Sequence, residues 1–210
     1  MTMIRQGLAV LALTAALAGC ATTPQSTTPA ASTTPTVSTS ATTPATTAAS
    51  PTLTTPAAPA NVDTASEKAA WEALMSPDGE YAAYAAYQGV IDSYGRVEPY
   101  VTIHAAEQQH IGSLVRQLER TDVTVPANPY LGKIPAPASL KNAALAWAEG
   151  ERANVAMYDR LLTQAIDDSR LTGVLENLRR ASQDSHLPLF EAAAAKDGTL
   201  TADDMAKLHR

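Results

Sequence analysis

The stretch IHAAEQQHIGSL, residues 103–114, places a carboxylate and an imidazole three residues apart. Residues three apart share a face of an α-helix, so Glu107 and His110 are predicted to point in the same direction. Ile103 and Leu114 fall on that face too, in steps of three and four that are typical of the buried side of a helix in a bundle. The sequence therefore predicts a helix whose buried face carries two ionisable side chains.

Burying a carboxylate and an imidazole without partners costs free energy, so this face needs something that compensates both groups. A metal ion is one such partner, and Glu-x-x-His is the usual helical ligand pair in carboxylate-bridged two-metal bundles. The same pair recurs by chance on solvated helices. Its meaning therefore depends on what the rest of the chain places at the same level.

The chain after residue 62 is rich in Ala, Leu, Glu, Gln and Arg, which favour helix, and it lacks the alternating pattern of strands. We predict a short lead-in helix, four long helices and a short tail helix. Their predicted ranges are 66–74, then 77–94, 99–120, 139–166 and 172–195, then 202–208. Long helices joined by modest loops predict an all-α fold, an antiparallel four-helix bundle.

Each long helix carries an ionisable side chain near the middle of its apolar face. These are Glu80 on the first, Glu107 and His110 on the second, Glu151 on the third and His186 on the fourth. A single such residue is most often partly exposed or hydrogen-bonded. Four helices that each place Glu or His at mid-height predict one polar layer across the bundle, and carboxylates with imidazoles suit iron, manganese or zinc.

Five segments carry a resemblance to the ferritin-like superfamily, and most of all to the bacterial ferritin-like domain of unknown function numbered 2202. They are EYAAYAAY at 80–87, Tyr94-Gly95, IHAAEQQH at 103–110, ERANV at 151–155 and ENLRRASQDSHLPLF at 176–190. The resemblance covers about residues 67–195. It implies a carboxylate-bridged site for two metal ions, one held by Glu80, Glu107 and His110 and the other by Glu151 and His186.

One position departs from the wider superfamily, which has a second Glu-x-x-His on its last helix. Here Gln183 stands three residues before His186. A neutral amide is a poorer ligand for a hard divalent ion, so the second metal position is expected to be weaker. Tyr87, Asn154 and Gln183 are expected to lie beside the ligands and support them by hydrogen bonds. Pro188 is expected to kink the last helix just past His186.

The N-terminus has the features of a secretory signal, with Arg5, an apolar run over 8–18 and small residues after it. The ending Leu17-Ala18-Gly19-Cys20 resembles the lipobox of bacterial lipoproteins. That resemblance implies a signal peptide over 1–19, a lipidated Cys20 that anchors the protein to a membrane, and a location in the bacterial cell envelope, in the periplasm or outside the cell. An ordinary cleaved signal with an incidental cysteine is the alternative.

Residues 20–62 consist almost entirely of Thr, Ala, Pro and Ser after the cysteine, and no charged residue falls between Arg5 and Asp63. Such a segment cannot bury enough apolar surface to offset its chain entropy. We therefore predict a disordered tether over 20–62, a helical domain over 63–200 and a C-terminal tail over 201–210.

Two functions fit these features. The first is a lipid-anchored domain that binds one or two divalent ions (iron, manganese or zinc), with at most a weak oxidase or peroxidase activity. The second is a metal-free bundle that acts as an envelope interaction or structural module, in which the same residues form a buried hydrogen-bonded network. The 210 residues carry a net charge of −6 and no basic stripe, which argues against nucleic acid. The sequence does not identify a protein partner, and it is compatible with a homo-oligomer.

The lipid anchor can be tested at Cys20. The Cys20→Ser variant cannot be acylated, so we expect it to leave the detergent phase in a phase-partitioning assay, whereas the wild-type protein stays there. Equal partitioning of the two proteins would contradict the anchor.

Overall fold

The computed structural model of the protein describes residues 53–208. This part of the chain is all-α, as predicted, and contains no strand beyond one isolated bridge between Glu98 and Leu200. Its helices are α1 (Ala65–Met75), α2 (Glu80–Tyr94), α3 (Tyr100–Glu119), α4 (Leu140–Gln164), α5 (Ser169–Ala181), α6 (Leu187–Ala194) and α7 (Ala202–Leu208). A π-helical turn, Ser182–His186, joins α5 to α6 without a break.

The helices pack side by side in a bundle-like arrangement. Helix α2 lies against α3, α4 lies against both α5 and α6, and α1 packs on α3 and α4. The helix ends follow the expected local chemistry. Thr64 and Glu67 form a capping box at the start of α1, and Ser139 caps α4 through the backbone N–H of Asn142. Gly95, with a φ of 85°, ends α2 as predicted.

Helix α2 begins later than the sequence predicted. Ser76 was expected to cap it with Pro77 at its first position, but Ser76 instead ends α1 by donating its backbone N–H to the carbonyl of Glu72. The cap of α2 is Gly79, where a side-chain Cβ would lie 2.4 Å from the carbonyl oxygen of Ala73. The close approach of α1 to the start of α2 therefore requires glycine, and it moves the helix start to Glu80.

Two apolar clusters fill the interior, one toward each end of the long helices. The first includes Leu74, Leu114, Leu118, Leu161 and Leu175, and the second includes Val90, Tyr100, Ile103, Leu189 and Phe190. Along α3 the chain passes from Ile103 in one cluster to Leu114 in the other. The residues between them, which include the Glu-x-x-His pair, form a polar layer at mid-height of α3, as predicted. Glu80 was expected near the middle of its helix, but it is the first residue of α2, because α2 begins later than predicted.

Residues 53–62, predicted as the end of the tether, pack against the helices instead. Leu53 contacts the first apolar cluster and Val62 is buried within it. Tyr130 donates its hydroxyl to the carbonyl of Thr54, and Trp71 donates its indole N–H to the carbonyl of Pro56. These contacts give the uncharged segment apolar partners that the sequence could not reveal. Residues 53–62 are therefore part of the packed helical domain.

The signal peptide, Cys20 and the tether up to residue 52 lie outside the described residues. Within residues 53–208, no helix is both long and apolar enough to cross a membrane.

The interior of the bundle can be tested by introducing a charge. Leu114 and Leu178 are both buried, so Leu114→Asp or Leu178→Asp should each lower the free energy of unfolding by about 3 kcal/mol or more, because an unpaired carboxylate is placed in an apolar cluster. Chemical denaturation measures the change. Gln108→Asp, on the exposed side of α3, is the control and should change stability by less than about 0.5 kcal/mol. Unchanged stability of both leucine variants would mean that the buried faces are wrong.

Candidate metal centre

The structure brings the five predicted ligands together in the polar layer. Glu80, Glu107, Glu151 and His186 are each at most 3% exposed, and the side chain of His110 is 12% exposed. Helix α2 supplies Glu80, α3 supplies Glu107 and His110, α4 supplies Glu151 and the π-helical turn supplies His186. These side chains are buried between two apolar clusters and have little contact with solvent, so their charges must compensate one another or a bound ion.

Glu107 occupies the centre of the layer. Its Oε2 lies 3.1 Å from Nδ1 of His110, and its Oε1 lies 3.1 Å from Nδ1 of His186. Each histidine also approaches one outer carboxylate. Nδ1 of His110 is 3.3 Å from Oε2 of Glu80, and Nδ1 of His186 is 3.4 Å from Oε1 of Glu151. One carboxylate is thus shared by two equivalent halves.

The two halves have the same set of donors. One contains Glu80, Glu107 and His110, the other Glu107, Glu151 and His186, and in each the donor atoms lie within 4.8 Å of one another. The sequence assigned Glu107 to the first half only. Because the structure places Glu107 in both, it corrects that division and gives each half two carboxylates and one imidazole.

The spacing of these donors matches that around a metal ion. Bonds of about 2.1 Å place neighbouring ligand atoms about 3.0 Å apart in an octahedron and about 3.4 Å apart in a tetrahedron. The four histidine–carboxylate distances run from 3.1 to 3.4 Å. These separations are compatible with ligands around two metal ions, and they are also those of ion pairs between the same groups.

Two buried tyrosines hold the outer carboxylates. The hydroxyl of Tyr87 donates to Oε1 of Glu151 over 2.6 Å, and the hydroxyl of Tyr158 donates to Oε1 of Glu80. The exchange is reciprocal, since α2 carries Glu80 and Tyr87 while α4 carries Glu151 and Tyr158. Each tyrosine follows its helix's glutamate by seven residues, so α2 and α4 must run antiparallel here. Tyr87 therefore has the contact predicted for it.

Tyr158 was not among the residues that the sequence predicted to support the ligands. The signal that could have found it is the repeated spacing of Glu and Tyr, seven residues apart on two separate helices. A seven-residue step is two helical turns, so it keeps both side chains on one face.

Gln183 does not lie beside the ligands, so the prediction made for it is wrong. Its side chain is exposed and accepts a hydrogen bond from Arg179 over 2.6 Å. The reason is the π-helical turn, whose wider winding separates residues three apart around the helix axis. Pro188, which cannot continue the ladder of backbone hydrogen bonds, follows this turn at the start of α6. The expected irregularity therefore takes the form of a π turn that ends at His186.

Asn154 is buried beside the layer but reaches it indirectly. Its amide donates to the backbone carbonyl of Asp78 and its oxygen accepts from the hydroxyl of Ser182, at 2.9 and 2.7 Å. Among the described residues, no hydrogen bond joins Asn154 to a carboxylate of the layer. Its role is to fix the π-helical turn against α4, which positions His186.

The charges of the layer shift the pKa values of its members. Burial alone would lower the pKa of His110, but hydrogen bonds to Glu107 and Glu80 outweigh it and raise the pKa to about 11. The pKa of His186 rises to about 10, because the negative charges of Glu107 and Glu151 close to its ring outweigh the effect of burial. Burial and the charge of Glu107 raise the pKa of Glu80 to about 7. Without metal, both imidazoles are therefore protonated at neutral pH.

One buried atom of the layer has charged neighbours but no aligned hydrogen bond. Nδ1 of His186 faces two carboxylate oxygens, yet it forms no hydrogen bond with any described residue. A buried nitrogen without a hydrogen bond costs free energy. An ion between His186 and the two carboxylates would satisfy all three groups, so the residues present fit a divalent metal.

Comparison with protein-family models, curated proteins and solved structures found no match to this chain. The residues of the polar layer are therefore the basis for inferring a function.

The protonation of the layer can be tested by nuclear magnetic resonance. In protein treated with a chelator, the ring signals of His110 should show an imidazolium that is still protonated at pH 8, because its pKa is raised. Glu107→Gln removes the central charge, so His110 should then lose its proton at lower pH. Titration of His110 near pH 6.5 in both proteins would contradict the geometry.

Proposed function

We propose that this domain binds two divalent metal ions in its interior. Glu80 and His110 would hold one ion, Glu151 and His186 would hold the other, and Glu107 would bridge them. The observation that carries the proposal is the sharing of Glu107, whose two oxygens face two different histidines at 3.1 Å. A buried carboxylate between two imidazoles on separate helical segments is the arrangement that a bridged pair of ions requires.

The total charge of the layer is compatible with two bound divalent ions. Three carboxylates carry up to three negative charges, and two divalent ions bring four positive ones, so the layer would be close to neutral with both imidazoles deprotonated. Binding must displace the protons of His110 and His186, and the affinity for metal should therefore rise with pH. The weaker second position expected from Gln183 is no longer part of the proposal, because both positions have equivalent donors.

We also propose that the fold is a ferritin-like four-helix bundle. Its four members would be α2, α3, α4 and the continuous rod of α5, the π-helical turn and α6. In support, these are the elements that supply the ligands, and the reciprocal tyrosine contacts require α2 and α4 to be antiparallel. Helix α1 and residues 53–62 would be additions that cover one side.

The proposed location follows from the N-terminal sequence. Lipidation of Cys20 would hold the domain at a membrane of the bacterial cell envelope, with residues 21–52 as a tether. Several acyl chains on one cysteine give stable anchoring, where one chain would not.

Iron or manganese in these positions would supply redox chemistry, whereas zinc would not. The protein's own residues would then act as a support. Tyr87 and Tyr158 hold Glu151 and Glu80 in place through their hydroxyl groups. The apolar clusters on both sides bury the ligands within the bundle. An oxidase or peroxidase activity is the most that this arrangement would provide.

A metal-free structural or interaction module is the second candidate. The observation that favours it is that the layer can compensate its own charges, since two imidazolium groups face three carboxylates. In that case the layer would fix how the helices align rather than bind an ion.

Metal stoichiometry separates these functions. Protein purified without a His tag should bind two manganese or zinc ions by titration calorimetry and elemental analysis. Glu107→Gln keeps the side-chain size but removes the bridging charge, so it should abolish most binding at both positions. Glu80→Gln and Glu151→Gln should each weaken one position, by at least about tenfold.

Glu149→Gln is the matched control, because Glu149 lies two residues from Glu151 on α4 but is exposed and paired with Arg152. It should bind metal as the wild-type protein does. Gln183→Glu should also leave the affinity unchanged, since Gln183 faces solvent. Absence of binding in the wild-type protein would favour the metal-free module.

A further inference from the structure

A pocket of about 110 Å³ lies next to one half of the polar layer. Exposed Asp78 and Gly150 are among its outer residues, and the buried side chains of Glu107 and Glu151 are among its inner ones. It therefore leads from the surface, between α2 and α4, to two carboxylates of the layer. Glu80, His110 and His186 do not line it, so access is confined to the side that Glu107 and Glu151 present.

The walls of the pocket are mostly apolar and small. Helix α2 contributes Ala82, Ala83 and Ala86, and α4 contributes Trp147. Three alanines on one wall leave room that larger side chains would fill. Leu53, from the segment that packs onto the helices, also lines the pocket and adds apolar surface.

The volume of the pocket and the polar groups that line it indicate the size and chemistry of a ligand. A cavity of about 150 Å³ accepts benzene. This pocket is smaller but opens to solvent, so it suits a short alcohol, or a phenol whose ring lies partly in the open mouth. The carboxylates of Glu107 and Glu151 would repel an anion and accept a hydrogen bond from a hydroxyl group. Trp147 lines the pocket and its buried indole N–H has no hydrogen-bond partner among the described residues, so a ligand oxygen is a group that could satisfy it.

We propose that this pocket binds a small uncharged molecule with an apolar body and one hydroxyl group, such as a phenol or a short alcohol. The hydroxyl group would point toward Glu107 and Glu151. The proposal that the bound molecule is a substrate rests on the proposed metal function. The proposal that the pocket binds the molecule at all depends only on the residues that line it. The two ideas can therefore fail separately.

Gly150 allows the pocket to be filled with little strain. A Cβ at this position would meet only the ring of Trp147, at 3.9 Å, so Gly150→Leu should place its side chain in the pocket without disturbing α4. Gly173 provides the matched control. It also lies within a helix, a Cβ there would meet nothing within 4 Å, and it does not line the pocket. Gly173→Leu therefore makes the same substitution elsewhere.

The test titrates phenol into the full chain carrying Cys20→Ser, both zinc-loaded and chelator-treated. The readout is the indole N–H signal of Trp147, assigned by comparison with Trp147→Phe. We expect saturable shifts in the otherwise unchanged chain and in Gly173→Leu, and binding at least about tenfold weaker in Gly150→Leu. If Gly150→Leu fails to fold, Ala83→Leu fills the pocket from α2 and should show the same loss.

Three results would overturn the proposal. They are the lack of a saturable shift in the otherwise unchanged chain, equal phenol binding in the filled variants, and benzoate binding to the chelator-treated protein as tightly as phenol. Zinc titration of the same samples tests the metal function independently. Phenol binding without zinc binding would leave the pocket and remove the metal site, and zinc binding without phenol binding would do the reverse.

Discussion

Each oxygen of the buried Glu107 carboxylate faces a different histidine, and the polar layer depends on that sharing. An isolated carboxylate in this position would be severely unfavourable, because apolar clusters lie on both sides of it. Breaking a buried ion pair by removing one partner costs about 3–5 kcal/mol. Glu107 has two such partners, so α3 is tied both to its own His110 and to the segment that carries His186.

The fold supplies what this sharing needs. Tyr87 and Tyr158 fix the two outer carboxylates by a reciprocal exchange between α2 and α4. The π-helical turn is held by the hydrogen bond between Ser182 and Asn154. It brings His186 close to Oε1 of Glu107, the oxygen that does not face His110. Such turns often occur at functional sites, because the local rearrangement moves a side chain that a regular helix would place elsewhere. The same pair of helices, α2 and α4, frames the pocket that leads to the layer.

Much of this could be predicted from sequence because helical periodicity determines which residues share a face. That rule placed Glu80, Glu107 and Glu151 at one level with the two histidines, and the structure brings them together. The rule failed at Gln183, because it assumes α-helical winding and the chain winds as a π helix there. It also gave no means of knowing that Glu107 would serve both halves, since contacts between helices depend on how they are rotated against one another. The packing of Leu53 was hidden for a different reason, because an uncharged Thr, Ala and Pro segment has no periodicity to read.

Anomalous X-ray diffraction from crystals soaked in manganese or zinc tests the shared role of Glu107 most directly. We expect two anomalous peaks, one next to His110 and one next to His186, each at about 2.0–2.2 Å from a different oxygen of Glu107. A single peak that does not contact Glu107, or no peak in the polar layer at saturating metal, would contradict that shared role.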